Sequence, residues 1–274
     1  MHGAGNDYVY VDARGQEQDW STIAVAISDR HKGVGSDGLI LANESDHADL
    51  KMSMFNSDGS EGMMCGNGLR CLVGFAIDTG IVSQDKKSVI VETASGDKTV
   101  IPIWENKKII GATVNMGEPS VAVEDIPVIA PGTAMLMDHN ITIDDQAMSI
   151  SCVSMGNPHA VAFIETPVDE YPLHDIGPKV EHHPMFPERV NFEIVNIIDQ
   201  NHVKARVWER GSGLTEACGT GACAIVTVGR LRRLTKGDVK VSLPGGDLNI
   251  NWPGDGDVIM EGPIEKVFEG NWPN

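Results

Sequence analysis

The sequence has 274 residues, of which 41% are hydrophobic and 22% are charged, and its formal net charge at pH 7 is −18. A chain of this length and composition can fold into one large or two medium globular domains with an ample core. The excess of acidic residues argues against a nucleic-acid or anionic-membrane partner, because phosphate groups would be repelled.

Targeting and membrane-spanning segments are not indicated. Residues 1–5 lack the basic region and apolar core of a secretory signal, and no apolar run approaches the roughly 18 residues needed to span a bilayer. The count of five cysteines is odd, which does not favour a disulfide framework. We therefore expect a cytoplasmic protein without nucleic-acid or membrane partners.

The first half of the chain predicts strands around one helix. Residues 8–12 and 50–55 alternate as strands do, and the apolar run 69–77 predicts a buried helix. Gly80 is a typical residue at which such a helix ends. Turn residues 95–97, between two short apolar runs, predict a hairpin.

The second half predicts the same order of elements. Residues 203–208 are expected to be extended and residues 222–234 helical, with arginines that suit the C-terminal end of a helix. A second hairpin is predicted around residues 244–247, followed by a final strand near residues 258–260.

These similarities reflect an internal repeat with a nearly constant offset of 150–153 residues. Four blocks recur in the same order, which is unlike the short periods of solenoid proteins. The paired blocks are 5–9 with 156–160, 51–56 with 204–209, 65–70 with 218–223, and 89–97 with 239–247. We infer a duplicated domain.

One of the repeated blocks places a cysteine before Gly-x-Gly and an apolar helical run. A cysteine at a helix N-terminus has its thiolate stabilised by backbone N–H groups and by the helix dipole. Two such thiols suit an acid and a base on opposite faces of a small substrate; two buried structural cysteines are the plainer alternative. The segments are Cys65-Gly66-Asn67-Gly68 and Cys218-Gly219-Thr220-Gly221.

Neither a cofactor nor a metal is indicated by the motifs. Enzymes that use pyridoxal phosphate bind it through a lysine, and no glycine-rich phosphate loop lies near a candidate lysine here. The remaining cysteines lie in apolar runs and are expected to pack as small hydrophobic residues, with spacings that do not fit a zinc site. If the two thiols remove and return a proton at a carbon beside a carboxylate, negative charge grows on that carboxylate. It would be stabilised by backbone N–H groups of Gly66, Asn67, Gly219 and Thr220.

The elements together predict an α+β fold. We expect two pseudo-symmetric halves, each a mostly antiparallel β-sheet wrapped around a central helix, with the active site in the cleft between them. The halves comprise residues 1–117 and 118–262, and residues 263–274 are expected to pack back on the first half.

Motifs along nearly the whole chain resemble the diaminopimelate epimerase family. Each motif is only moderately specific, whereas all of them in this order are highly specific. They occupy residues 2–7, 33–38, 55–61, 65–71, 155–159, 187–191, 209–211 and 217–221.

The resemblance implies a cofactor-independent isomerase of lysine biosynthesis that interconverts LL- and meso-2,6-diaminopimelate. Cys65 and Cys218 would act as base and acid, and His159 and Glu209 would hold the reacting amino group or tune the thiols. Arg210 would pair with the distal carboxylate in a bidentate manner. The side-chain amides expected to contact the substrate are Asn6, Asn56, Asn157 and Asn191. A homodimer is common among members of the family.

Other functions on the same or another fold remain as alternatives. A proline or hydroxyproline racemase would need only one carboxylate anchor, so Arg210 and the asparagines argue against it. An isomerase of the phenazine-biosynthesis branch is disfavoured because both thiols are present. A non-catalytic binding protein would not need two acid/base cysteines.

Overall fold

A computed structural model describes residues 1–130, 132 and 134–273. Pro131 and Thr133, in the predicted second half, and Asn274, in the predicted C-terminal segment, lie outside the described residues. The chain forms two compact units. Unit 1 comprises Met1–Asn115 and the segment that begins at Glu261, and unit 2 comprises Met116–Met260.

Unit 1 contains eight strands and two helices among its described residues. In chain order they are β1 (His2–Gly3), β2 (Asn6–Asp12), α1 (Trp20–Ser28), β3 (Gly38–Asn43), β4 (Leu50–Asn56), β5 (Glu61–Gly62), α2 (Gly66–Asp78), β6 (Val89–Glu92), β7 (Lys98–Glu105) and β8 (Lys108–Gly117). The last two residues of β8 belong to unit 2. The C-terminal segment joins unit 1 through backbone hydrogen bonds between Glu265 and His2 and from Ile264 to Ile110.

Unit 2 has a similar set of elements. In chain order the described ones are β9 (His139–Ile143), β10 (Gln146–Ser154), β11 (Pro158–Phe163), α3 (Leu173–Glu181), β12 (Asn191–Asp199), β13 (His202–Glu209), β14 (Gly213–Thr215), α4 (Gly219–Leu231), β15 (Asp238–Leu243), β16 (Gly246–Asn251) and β17 (Val258–Pro263). A 3₁₀ turn at Val123–Asp125 precedes them. The last three residues of β17 belong to unit 1.

The strand pairing shows that the chain is duplicated. In unit 1, β2 is parallel to β3, β3 is antiparallel to β4, and β4 is parallel to β6. In unit 2, β11 is parallel to β12, β12 is antiparallel to β13, and β13 is parallel to β15. The hairpins β6–β7 and β15–β16 follow at the predicted turns. Each unit therefore contains the same mixed sheet, in which most strand pairs are antiparallel.

One long helix is buried in each unit, as the sequence predicted. Helix α2 packs against β1, β2, β3 and β7, and α4 packs against β10, β11, β12 and β16. Most apolar side chains of both helices are almost wholly inaccessible to solvent, although Leu231, the last residue of α4, is 41% exposed. Each fully buried side chain of this kind contributes about 1.5–3 kcal/mol. The two helices are thus anchored in their own sheets, and their first turns are held in fixed positions.

Two details of the helices differ from the sequence prediction. Helix α4 ends at Leu231 rather than Leu234, because Arg233 adopts a left-handed backbone conformation with φ of 59° that no helix can continue through. The short helices α1 and α3 were not predicted. Helix α3 contains Pro178, and because proline is unusual inside a helix, the sequence did not indicate a helix there.

Candidate active site

Cys65 is the N-cap residue of α2. Its backbone is extended, with φ of −127° and ψ of 119°, and its sulfur accepts a hydrogen bond of 3.4 Å from the N–H of Gly68. A Cβ at position 68 would lie 2.4 Å from Cδ1 of Ile40, so glycine lets this turn lie against β3 without displacing the end of that side chain. The N–H groups of Gly66 and Asn67, at the start of the helix, have no acceptor within the helix itself.

Cys218 occupies the same position at the start of α4. Its backbone angles are −116° and 116°, and its sulfur accepts a hydrogen bond of 3.4 Å from the N–H of Gly221. A Cβ at position 221 would lie 2.9 Å from Oε1 of Glu193. Both cysteines therefore cap a helix, as predicted, and Gly219 and Thr220 begin α4 as Gly66 and Asn67 begin α2.

A chain of polar contacts surrounds Cys65 within unit 1. The thiol donates to Oδ1 of Asn6 at 3.1 Å, and Nδ2 of Asn6 donates to Oδ2 of Asp37 at 2.7 Å. Burial raises the pKa of Asp37, and the nearby charge of Asp7 adds to this, while the hydrogen bond from Asn6 opposes it. Arg30 forms ion pairs with both aspartates. Asp37 thus orients the Asn6 amide with its oxygen towards the sulfur.

Tyr8 also lies beside Cys65. Burial raises the pKa of its phenol well above 10.0, and charge on Cys65 and a hydrogen bond with that thiol act in the same direction. The phenol is therefore kept neutral, as a hydroxyl beside the sulfur.

Cys218 lies in a buried, acidic environment in unit 2. Burial raises the pKa of its thiol well above 9.0, and the charges of Glu209 and Glu193 raise it further, whereas hydrogen bonds from Thr220 and Gly221 lower it. Its sulfur lies 3.5 Å from Oγ1 of Thr220. Burial also raises the pKa of Glu209, which accepts a hydrogen bond of 2.7 Å from the hydroxyl of Thr215. The structure therefore places Glu209 next to Cys218.

His159 reaches the Cys218 site through intermediate side chains. Its Nδ1 lies 2.6 Å from Oε1 of Glu193, and its Nε2 lies 3.0 Å from Oδ1 of Asn157. Nδ2 of Asn157 donates to Oγ1 of Thr220 at 3.3 Å. The structure thereby connects His159, Asn157 and Thr220, which were all named from the sequence.

Sequence reasoning missed Glu193 and Asp37. Glu193 is the single charged residue within the apolar part of β12, and that interruption is the signal that would have indicated it. Asp37 lies in a motif that was used only for family resemblance. Glu193 contacts His159 and Asp37 contacts Asn6, and both of these partners were predicted from the sequence.

One of the named asparagines, Asn191, is tied to the protein backbone. Asn191 accepts a hydrogen bond of 2.8 Å from the N–H of Arg210 and donates one of 3.0 Å to the carbonyl of Pro158. It therefore fixes the position of Arg210 relative to β11. The guanidinium of Arg210 donates to the carbonyl of Glu188 at 3.1 Å.

The remaining two named residues lie in unit 1. Asn67 is buried, and its side-chain oxygen accepts a hydrogen bond of 2.9 Å from Arg70. This leaves its backbone, rather than its amide, at the helix start. Asn56 ends β4 and donates to the hydroxyl of Ser60 at 3.0 Å.

Neither a metal-binding cluster nor a membrane-spanning helix is found in the described part of the chain. No group of three or more His, Cys, Asp or Glu side chains is arranged there to hold a metal ion. None of the helices in that part is both long and apolar enough to cross a membrane.

Comparison with known proteins connects this geometry to a family. The family profile described as "Diaminopimelate epimerase" matches residues 1–122 and 151–267. The chain is 49% identical to the diaminopimelate epimerase of Methanococcus maripaludis over 272 residues, which cover 98% of this chain and 97% of that one. It is 46% identical to the diaminopimelate epimerase of Acetivibrio thermocellus, with 98% and 96% covered.

Solved structures share the fold at low sequence identity. A phenazine biosynthesis protein of the PhzF family from Bacillus anthracis aligns with a TM-score of 0.70 at 16% identity, covering 97% of this chain and 96% of the other. A probable proline racemase from Agrobacterium radiobacter aligns with a TM-score of 0.68 at 14% identity, covering 96% and 88%. These likenesses confirm the predicted mixed, mostly antiparallel fold.

Proposed function

Because this chain belongs to the diaminopimelate epimerase family, we propose that Cys65 and Cys218 are the two groups that exchange the α-proton of diaminopimelate. The activity is that of an isomerase of lysine biosynthesis, the interconversion of the LL and meso forms. The observation that carries the assignment of the thiols is their identical position as N-caps of the two buried helices.

The proposed reaction conserves protons within the site. One cysteine, as thiolate, removes the α-proton and becomes a thiol. The other, as thiol, delivers its proton to the opposite face of the α-carbon and becomes a thiolate. The scheme requires both sulfur atoms to reach one carbon, and after one turnover their protonation states are exchanged.

The helix starts supply the stabilisation that such a weak acid needs. When the α-proton leaves, negative charge moves onto the α-carboxylate. Backbone N–H groups at a helix N-terminus bind such charge without reorganisation. We assign this role to Gly66, Asn67, Gly219 and Thr220. Each well-placed donor of this type is worth about 10²–10³-fold in rate.

The polar side chains around the thiols are assigned to substrate recognition and tuning. Glu209, with its contact to Cys218, and His159 hold the reacting amino group or adjust the thiol. Arg210 binds the distal carboxylate, and its backbone is fixed for this by Asn191. Asn6, Asn56 and Asn157 complete the set of polar contacts that rejects amino acids lacking a second polar end.

The test is incorporation of solvent deuterium at the α-carbon of LL-diaminopimelate, measured by NMR or mass spectrometry. Cys65→Ala and Cys218→Ala should each lose about 10²–10⁴-fold in rate, since each removes one proton-transfer group. Cys71→Ala and Cys223→Ala are matched controls on the same two helices and should retain activity. Full exchange in either N-cap variant would contradict the scheme, and exchange with proline but not diaminopimelate would overturn the substrate.

We further propose a homodimer. Its support is an exposed apolar surface on the β7–β8 hairpin, where Ile101, Trp104 and Ile110 are 48%, 39% and 41% exposed. Light scattering after gel filtration should give twice the mass of the chain, and Ile101→Glu should shift it towards the monomer. A monomeric mass for the unaltered chain at micromolar concentration would exclude this.

A further inference from the structure

The pair formed by His159 and Glu193 is wholly inaccessible to solvent. Both side chains are 0% exposed and their contact is only 2.6 Å long. A carboxylate is almost never fully buried unless it is paired, because an isolated buried charge is very costly. The second oxygen of Glu193 has no hydrogen-bond partner among the described residues. The contact with His159 therefore determines how the carboxyl group of Glu193 is held at this buried position.

The neighbouring contacts fix which nitrogen of His159 carries hydrogen. Nδ2 of Asn157 donates to Thr220, so Oδ1 of the same amide faces Nε2 of His159. An amide oxygen only accepts hydrogen bonds, and Nε2 must therefore be the donor. A second proton is then held between Nδ1 and Oε1 of Glu193, because two bare acceptors would not approach to 2.6 Å.

The direction of these bonds continues to the sulfur of Cys218. Oγ1 of Thr220 accepts from Asn157, which leaves the hydroxyl hydrogen available for the sulfur 3.5 Å away. If the Asn157 amide were reversed, the hydroxyl of Thr220 would donate to the amide oxygen of Asn157 instead. A hydroxyl hydrogen bond from Thr220 is one of the contacts that lower the pKa of Cys218 against burial and the nearby acidic groups.

The duplicated fold provides an internal comparison. Tyr10 pairs with Ile40 across β2 and β3, and Val161 pairs with Glu193 across the equivalent strands β11 and β12. The third residue of each buried helix also approaches these two positions, since Gly68 faces Ile40 and Gly221 faces Glu193. Ile40 and Glu193 are thus equivalent. The fold is built with an apolar residue at this place in unit 1, so folding does not demand a carboxyl group there.

We propose that Glu193 is a positioning residue that keeps a hydrogen on Nε2 of His159 and thereby directs the hydroxyl hydrogen of Thr220 to the sulfur of Cys218. The inference rests on the proposed function of Cys218. Glu193 does not touch the reacting atoms in this scheme; it acts through His159, Asn157 and Thr220.

The first test is the protonation state of His159, which is measured in the unaltered protein. NMR of the full chain labelled with ¹⁵N at histidine should show a hydrogen on Nε2, with the His159 signals identified by their loss in His159→Asn. Glu193→Gln should retain that hydrogen, because its amide N–H can donate to Nδ1. A bare Nε2 in the unaltered protein would overturn the proposal.

Kinetics test whether the direction of the bonds matters. Glu193→Ile, which copies unit 1, should lower kcat about 10–100-fold with little change in KM, as losses of an orienting partner do elsewhere. Glu193→Gln should stay within about threefold of the unaltered protein. Thr227→Val, which removes another buried group without a partner among the described residues, is the control and should not change kcat. Equal losses in the Gln and Ile variants would contradict the proposal.

A double-mutant cycle separates this role from a structural one. In a Cys65→Ala background, the rate at which iodoacetamide alkylates Cys218 is followed against pH by peptide mass spectrometry. Glu193→Gln and Glu193→Ile both remove the negative charge that raises the pKa of Cys218. The Ile profile should therefore lie at higher pH than the Gln profile, and this difference should vanish in a Thr220→Val background. Additive shifts would overturn the coupling. If the unaltered chain epimerises diaminopimelate while these tests fail, the positioning role is wrong and the proposed function stands.

Discussion

Gly221→Ala should reduce activity far more than it reduces stability. In the present structure the added Cβ would lie 2.9 Å from Oε1 of Glu193 and 3.2 Å from Cβ of Cys218. Carbon contacts are most favourable at about 3.5–4.0 Å, so the carboxyl group and the first turn of α4 must separate by about 0.5 Å. The same movement lengthens the 2.6 Å contact between Glu193 and His159.

The two energetic effects act in opposite directions. Alanine is favoured over glycine inside a helix by about 1 kcal/mol. A weakened hydrogen bond to a charged group costs about 1.5–3 kcal/mol. The free energy of unfolding should therefore fall by only about 0.5–2 kcal/mol, as the difference of these values. Catalysis is more sensitive, since a misplacement of 1 Å costs about 100-fold and half of that costs about tenfold.

The assay combines urea unfolding with the rate of deuterium incorporation. Gly229→Ala is the matched control on the same helix, because its Cβ would lie 2.6 Å from Oγ1 of Thr235, outside the site. We expect the control to lose stability and keep its kcat. The reasoning is refuted if Gly221→Ala has an unaltered kcat, or if it loses activity only in proportion to the fraction of unfolded chain.

Three further predictions follow from the charges around the thiols. Asp37→Ala should lower kcat about tenfold, because Asn6 loses the acceptor that orients its amide. Arg30→Ala should change kcat little, since exposed ion pairs contribute about 0–1 kcal/mol. A larger loss in Arg30→Ala than in Asp37→Ala would contradict this reasoning. Glu209→Gln removes a negative neighbour and should lower the pKa of Cys218, so that alkylation in a Cys65→Ala background reaches half its maximal rate at lower pH; a shift to higher pH would be inconsistent with the structure. Burial raises the pKa of Cys152 from 9.0 to about 12, so its stabilising effect is present below pH 9 and is lost as the pH rises towards 12. Urea unfolding of Cys152→Ala should therefore show a smaller decline over that range than the unaltered chain, and an equal decline would refute the shift.

The positions of the two cysteines were predictable because local and repeated signals agree. The Gly-x-Gly segment marks a helix start, and its recurrence after 153 residues marks a duplicated unit. The hairpins were predictable for the same reason, since their turn residues occur in both halves. The C-terminal end of α4 was not predictable, because an arginine in the sequence does not indicate the left-handed backbone conformation that Arg233 adopts.

The contacts between strands could not be obtained from the sequence. Glu193 and His159 are 34 residues apart and meet only because β11 and β12 are parallel neighbours. Asp37 and Asn6 meet across β2 and β3 in the same manner. Such contacts depend on strand register, which the alternation of one strand does not specify. The proposed acid/base residues were therefore accessible to sequence reasoning, and the side chains that contact them were not.

The equivalence of Ile40 and Glu193 has a consequence for how a duplicated enzyme handles an unsymmetrical stereocentre. An assembly of two identical units would have to give both thiols the same surroundings, since every substitution would appear twice. Two units joined in one chain are free of that restriction. Here one cysteine faces a phenol and an amide held by an aspartate, and the other faces a glutamate and a threonine. Covalent linkage of the halves thus allows the surroundings of each thiol to be adjusted separately for its proposed role.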